Sequence, residues 1–195
     1  MGISVILAHP DKGSFNHAIA AVAVQVLCDA GHTVSFHDLY AEQFDPILPA
    51  QEIPSGSALP PKLKTHCDEI AEADGIIIVH PNWWGQPPAI LKGWVDRVFR
   101  PGVAYSLGVP IGLLKVHTAV VFNTSNTPTE RENAVFGDPL ELLWRKCIFD
   151  LCGIKSFHRH MFCVVVTSTE KQRNEWLRQV EETIIRRFHR ESTLV

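Results

Sequence analysis

Three stretches of this chain gather residue types that could bind a ligand or take part in chemistry. The first is His80-Pro81-Asn82-Trp83-Trp84-Gly85, in which prolines, an asparagine and a glycine mark a loop that carries two adjacent indoles. Paired indoles in such a loop can wall a flat aromatic pocket, although tryptophans also serve simply as core. The second is His9-Pro10-Asp11-Lys12-Gly13-Ser14-Phe15-Asn16. Here Gly13 permits an unusual backbone and Ser14 or Asn16 can cap a helix start, whose unpaired N–H groups and partial positive charge suit a phosphate. Capping alone also explains that loop. The third is Asn123-Thr124-Ser125-Asn126-Thr127-Pro128, a polar turn rich in small donors and acceptors. A molecule with a flat ring and a phosphate tail would use all three. Neither G-x-G-x-x-G nor G-x-x-x-x-G-K-[ST] is present, so a dinucleotide Rossmann site and a P-loop gain no support. His158-Arg159-His160 puts two imidazoles on one strand face near Cys163. Without a fourth ligand, no metal is expected there. Glu181-Glu182 and Arg186-Arg187 read as a solvated helix face.

The elements around these stretches follow from hydrophobic period. Ile3 to Ala8, Gly75 to Val79 and Val116 to Phe122 are apolar runs of the kind buried on both faces of a parallel sheet. Thr33 to His37 alternates and reads as another strand, and a fifth lies within Ile154 to Thr167, best represented by Phe162-Cys163-Val164-Val165-Val166. Helical spacing links Ile19 to Leu27, Leu63 to Ala71, Leu91 to Val98, Leu140 to Leu151 and Trp176 to Ile184. The proline-rich segment before Pro61 reads as a connection over the surface. Five alternations of strand and helix predict a single α/β domain over residues 1–195: a doubly wound five-stranded parallel sheet with helices on both faces. The common strand order is 2-1-3-4-5, whose switch point lies between the first and third strands and brings the three loops side by side.

At 195 residues, 46% hydrophobic and 20% charged, the chain has the size and composition of one globular domain. A net charge of −3 gives no electrostatic reason to expect nucleic acid or an anionic membrane as partner. The amino-terminal apolar run lacks a basic flank and is too short for a signal peptide or a membrane span. Five cysteines without a C-x-x-C disfavour a disulfide framework or a zinc site, so a reducing cytoplasm is expected.

Ala8-His9-Pro10 with Ser14-Phe15-Asn16, Asp38-Leu39-Tyr40 with Phe44-Asp45-Pro46, and His80 to Gly85 with Pro88-Ala89-Ile90-Leu91-Lys92-Gly93-Trp94 and Arg97-Val98-Phe99 together resemble the NAD(P)H:quinone reductase family of flavodoxin-like flavoproteins. The resemblance spans nearly the whole chain. It implies a flavin, FMN or FAD, with the short chain leaning to FMN, and NAD(P)H as co-substrate. It also implies that His9, Ser14, Phe15 and Asn16 hold the flavin's phosphate or pyrophosphate. Pro81, Asn82, Trp83, Trp84 and Gly85 would line the isoalloxazine, with Asn123, Thr124, Ser125 and Asn126 beside its pyrimidine side. Tyr105 would cover the substrate pocket, and it and Asn126 are the residues expected to act in catalysis. The implied reaction is two-electron, ping-pong reduction of a quinone-like acceptor by a homodimer. The family also contains redox-sensing ancillary subunits of glutathione-gated potassium efflux systems, which is the alternative. Where animal members carry a tyrosine and a histidine after the third loop, this chain has Thr129-Glu130-Arg131-Glu132-Asn133-Ala134-Val135-Phe136.

Overall fold

A computed structural model describes residues 1–54 and 56–189, so Ser55 and residues 190–195 of the expected domain lie outside the described residues. Five strands, β1 (Gly2–Leu7), β2 (Thr33–Asp38), β3 (Gly75–Pro81), β4 (Thr118–Thr124) and β5 (Ser156–Phe162), form one sheet in the order β2-β1-β3-β4-β5. Every neighbouring pair is parallel. The expected strand order is therefore the observed one.

Alternation along the inner strands divides the core in two, because successive side chains of a strand point to opposite faces. Ile3, Val5, Leu7, Ile77, Val79, Val120 and Phe122 face helices α1 (Phe15–Asp29) and α6 (Glu170–Arg187). Ile6, Ala8, Ile76, Ile78, Ala119 and Val121 face α2 (Pro61–Glu72), α3 (Ala89–Val98) and the segment from Leu140 to Ile154. All seven residues of β3 are buried, as its unbroken apolar run requires.

Two expectations need correction. The fifth strand is Ser156–Phe162, so of the predicted Phe162–Val166 only its first residue belongs to it. β5 lies at the sheet's edge, where a buried apolar run is unnecessary, and six of its seven residues are only part-buried. Of the valines after it, Val165 and Val166 line a cavity at the end of the sheet instead. The proline-rich connection also does more than cross the surface. Glu52, at the end of a short 3₁₀ turn over Ala50–Glu52, is buried against α3, where its carboxylate holds Arg97 through Nε (3.0 Å) and Nη2 (2.7 Å). Gly93 lets this connection cross the helix, since a Cβ there would stand 2.2 Å from the Pro46 carbonyl oxygen.

Between β4 and β5 the chain makes a single helical turn, α4 (Thr129–Arg131), that widens into π turns over Glu132–Phe136. A second short helix, α5 (Pro139–Leu142), does the same over Leu143–Phe149. Widened turns of this kind recur at functional sites.

Candidate active site

The carboxyl ends of β1, β3 and β4 converge on a cavity of about 780 Å³, at the switch point of the sheet. Its wall takes His9 and Ser14 to Asn16 from the first loop, Pro81 to Gly85 from the second, and Thr124 to Thr127 from the third. Glu132, Phe136, Pro139, Val165 and Val166 complete it.

The first loop is wound by Asp11, whose carboxylate accepts from Gly13 N–H (2.8 Å) and whose carbonyl accepts from Ser14 N–H (3.0 Å). Ser14 caps α1, its Oγ accepting from His17 N–H at 3.3 Å. The N–H groups of Phe15 and Asn16, in the first turn, have no carbonyl within the helix to bond. Beside them the dipole of a 15-residue helix favours an anion. Asn16 ties this loop to the third by donating Nδ2–H to Thr124 Oγ1 (2.9 Å), while its own Oδ1 is buried without a partner.

The second loop is a tight hairpin. Trp83 and Gln86 exchange both backbone hydrogen bonds at 3.0 Å, and the two residues between them have positive φ, 57° at Trp84 and 72° at Gly85. Positive φ at both centres is the type I′ turn, which glycine and asparagine normally fill. A tryptophan there is strained, a condition that collects at binding sites. Asn82 clamps the turn, since its N–H donates to the Thr124 carbonyl (2.6 Å) and its Oδ1 accepts from Gly85 N–H (3.0 Å). Of the backbone N–H groups from Asn82 to Gln86, that of Trp84 alone has no partner among the described residues. The Trp84 side chain is wholly exposed, and Trp83 is 42% exposed with its ring 6.1 Å from that of His9.

Beneath this turn His80 is wholly buried. Trp144 Nε1–H donates to its Nε2 (3.1 Å), which fixes the proton on Nδ1, facing the Pro81 carbonyl at 2.8 Å. Burial, outweighing the Pro81 bond, pulls this imidazole down to about 4. Burial likewise lowers His9 at the cavity wall. Glu141 is pushed up by burial, yet the combined hold of Arg159 and Arg145 leaves it below the carboxylate norm.

Of the expected site residues, His9, Ser14, Phe15, Asn16, Pro81, Asn82, Trp83, Trp84, Gly85, Thr124, Ser125 and Asn126 all line this one cavity. Asn123 and Tyr105 do not. Asn123 is fully buried, with its Oδ1 accepting from Arg159 Nη1 (2.7 Å) across to β5. Tyr105 packs half-buried against the core on the α3 side and pairs its backbone with Pro101 and Gly112. Sequence reasoning passed over Glu132, whose signal was a carboxylate in the segment just after the polar turn, and Phe136, Pro139, Val165 and Val166, which no motif marks.

A second cluster of chemistry-bearing groups lies away from the cavity, between β2 and α2. His37 meets Glu42 through Nδ1 (2.8 Å) and Glu69 through Nε2 (2.5 Å), and His66 Nε2 meets Glu42 at 3.2 Å. His37, Glu42 and His66 have the spacing to hold a metal ion. Trp94 excludes that use of His66 as the side chains stand. Its indole N–H, which can only donate, reaches His66 Nδ1 at 3.2 Å. The His66 proton is therefore on Nε2, where a metal would need a lone pair.

The model of the flavodoxin-like fold family designated Flavodoxin_2 matches residues 1–184, and the chain belongs to that family. Among particular relatives, a Haemophilus influenzae protein named an uncharacterized NAD(P)H oxidoreductase is 36% identical over 165 residues, 81% of each chain. Human ribosyldihydronicotinamide dehydrogenase [quinone] is 31% identical over 179 residues, 78% of this chain and 77% of that one. Among solved structures, Smu.1420 from Streptococcus mutans superposes with a TM-score of 0.81 at 31% identity, covering 94% of this chain and 98% of that one. An NAD(P)H:quinone oxidoreductase from Methanothermobacter marburgensis gives 0.81 at 25% identity, over 94% and 95% of the two chains.

Proposed function

We propose that this protein is a flavin-dependent NAD(P)H oxidoreductase that reduces quinones or similar flat acceptors. The observation that carries the reading is the cavity itself: a helix start fit for a phosphate and an indole-bearing turn share one wall, joined through Asn16 and Thr124. The names of its relatives support the same activity and do not favour the potassium-efflux reading. When bound, the flavin supplies the redox chemistry, taking hydride from NAD(P)H and passing it to the acceptor.

The chain's own residues bind, orient and stabilise. The N–H groups of Phe15 and Asn16 hold the phosphate at the start of α1. Trp84 N–H would donate to the flavin, and the Trp83 indole and His9, which line the cavity, would wall it. Thr124 Oγ1 already accepts from Asn16, and Ser125 Oγ accepts from Thr127 N–H (3.0 Å), so both hydroxyl protons are free to be donated. Aimed at the pyrimidine side, each would offset developing negative charge by about 3 kcal/mol, the scale of an oxyanion-hole donor. Asn126, on the cavity wall, remains a proposed catalytic residue, whereas Tyr105, which does not line this cavity, would act only from the partner subunit of the proposed homodimer.

FAD is proposed over the FMN favoured by chain length, because a recess of about 220 Å³ that shares Ser14 and Phe15 with the main cavity extends past Glu170 to Arg173 and Asn174 of α6, where a second phosphate and nucleoside would lie. A homodimer, with its pocket at the interface, agrees with the apolar loop that exposes Leu107, Val109 and Ile111. No helix among the described residues is long and apolar enough to cross a membrane. A cytoplasmic location fits five unpaired cysteines.

The test is the absorbance spectrum of the purified protein, chromatography of the chromophore released from it, and NAD(P)H oxidation with a soluble quinone. A yellow protein that yields FAD and gives parallel double-reciprocal lines is expected. A colourless protein that takes up no added flavin overturns the proposal.

A further inference from the structure

Glu132 is 1% exposed and lies on the wall of the cavity, yet it makes no ion pair among the described residues. The nearby cations are engaged elsewhere. Arg159 is held by Asp138, Glu141 and Asn123, Arg145 by Glu141, and Arg131 lies over the Phe136 ring. Among the described residues, the single side-chain hydrogen bond of Glu132 runs from Asn82 Nδ2–H to its Oε1, at 3.0 Å. Its backbone is pinned at both ends, its N–H donating to the Pro128 carbonyl and its own carbonyl accepting from Asp138 N–H. The same segment braces the indole turn a second time, because Pro139 lies so close that a Cβ on Gly85 would stand 2.8 Å from its Cγ.

An asparagine amide is nearly symmetrical in shape, and its two ends differ only in which donates. Glu132 breaks that symmetry. A carboxylate can only accept, so it holds Nδ2 on its own side and turns Oδ1 toward Gly85 N–H. With Gly85 N–H occupied and Trp83 and Gln86 bonded to each other, Trp84 N–H is the donor left for a ligand. An inverted Asn82 would set Nδ2–H against Gly85 N–H, donor against donor, and the strained turn would lose its clamp.

We infer that Glu132 is a positioning residue, which sets the orientation of the Asn82 amide and through it the turn that presents Trp84 N–H and the indoles to the ligand. This inference rests on the flavin reading above and adds a residue and a device to it.

The experiment is a swap of amide and carboxylate, read as flavin affinity by fluorescence titration together with a thermal melt of the flavin-free protein. Asn82→Asp alone sets two carboxylates face to face and is expected to weaken flavin binding by about tenfold or more. Adding Glu132→Gln restores the latch with its polarity reversed: the new amide donates to a carboxylate that still accepts from Gly85 N–H. The double variant is expected to return to within about threefold of the parent, a non-additivity characteristic of a direct pair. Should Asn82→Asp fail to fold, recovery of a cooperative melt and of flavin binding in the double variant supports the inference equally. The inference is overturned if Asn82→Asp binds flavin like the parent, or if the double variant is no better than the single one. A parent protein that binds no flavin refutes the underlying function instead.

Discussion

His80 should make this protein acid-labile in a way that a single substitution can isolate. The imidazole is wholly buried with its proton on Nδ1, and burial holds its pKa at about 4 against an ordinary 6.5. Well above pH 6.5, from about pH 7.5 upward, the ring is neutral in folded and unfolded chains alike, so stability does not change with pH on its account. As pH falls below 6.5 the unfolded chain takes up the proton first, and stability is lost until the folded ring also titrates near pH 4. Between about pH 7.5 and about pH 5 the loss from this one group works out at about 2 kcal/mol. The variant His80→Gln has no group to titrate, and its side-chain oxygen can still accept from Trp144. In urea titrations at matched, saturating flavin, the advantage of the parent over His80→Gln should shrink by about 2 kcal/mol across that interval. Other histidines lowered by burial, among them His66 and His160, act on both proteins and cancel in the difference. A stability gap that stays constant with pH would refute the argument.

Two further outcomes follow from the geometry. Glu52→Ala leaves the Arg97 guanidinium buried without its carboxylate, and urea denaturation should register a loss of about 3–5 kcal/mol, much of it recovered when Arg97→Met is added. Trp84→Asn places a residue tolerant of positive φ in the I′ turn, so the thermal melt of the flavin-free protein should hold or rise while flavin affinity falls. A variant that keeps full affinity would remove the Trp84 indole, though not its backbone N–H, from the site.

The fold was legible because the inner strands wrote their burial into sequence. Ile76 to Val79 must be apolar on both faces, and once such strands alternate with helical periods few topologies remain. The edge strand obeys no such demand. Ser156–Phe162 satisfies its polar residues locally, with Arg159 reaching Asp138, Glu141 and Asn123, while the valines after it imitated a buried strand. The same contrast divides the site. Loops at strand ends revealed themselves through Pro, Gly and capping residues, so Ser14 to Asn16 and Pro81 to Gly85 were found. Asn123 was grouped with its neighbours because a strand's last residues alternate between faces, and only the folded chain shows that it turns to Arg159. Glu132 was hidden for a different reason. Its role depends on a partner 50 positions earlier in the chain, Asn82, which no local pattern can announce.

Both open margins of the sheet bear on how copies of this protein could associate. β2 offers His37, engaged with two glutamates, and Asp38, while β5 offers His158, Arg159 and His160. Imidazoles and charged groups along a rim discourage another strand from docking onto it. A pairing of subunits that merged two sheets into one continuous ribbon is thereby disfavoured, as is runaway fibre growth by strand addition. Two copies would instead have to meet through helices and crossover loops, the same parts of the molecule that frame the ligand cavity.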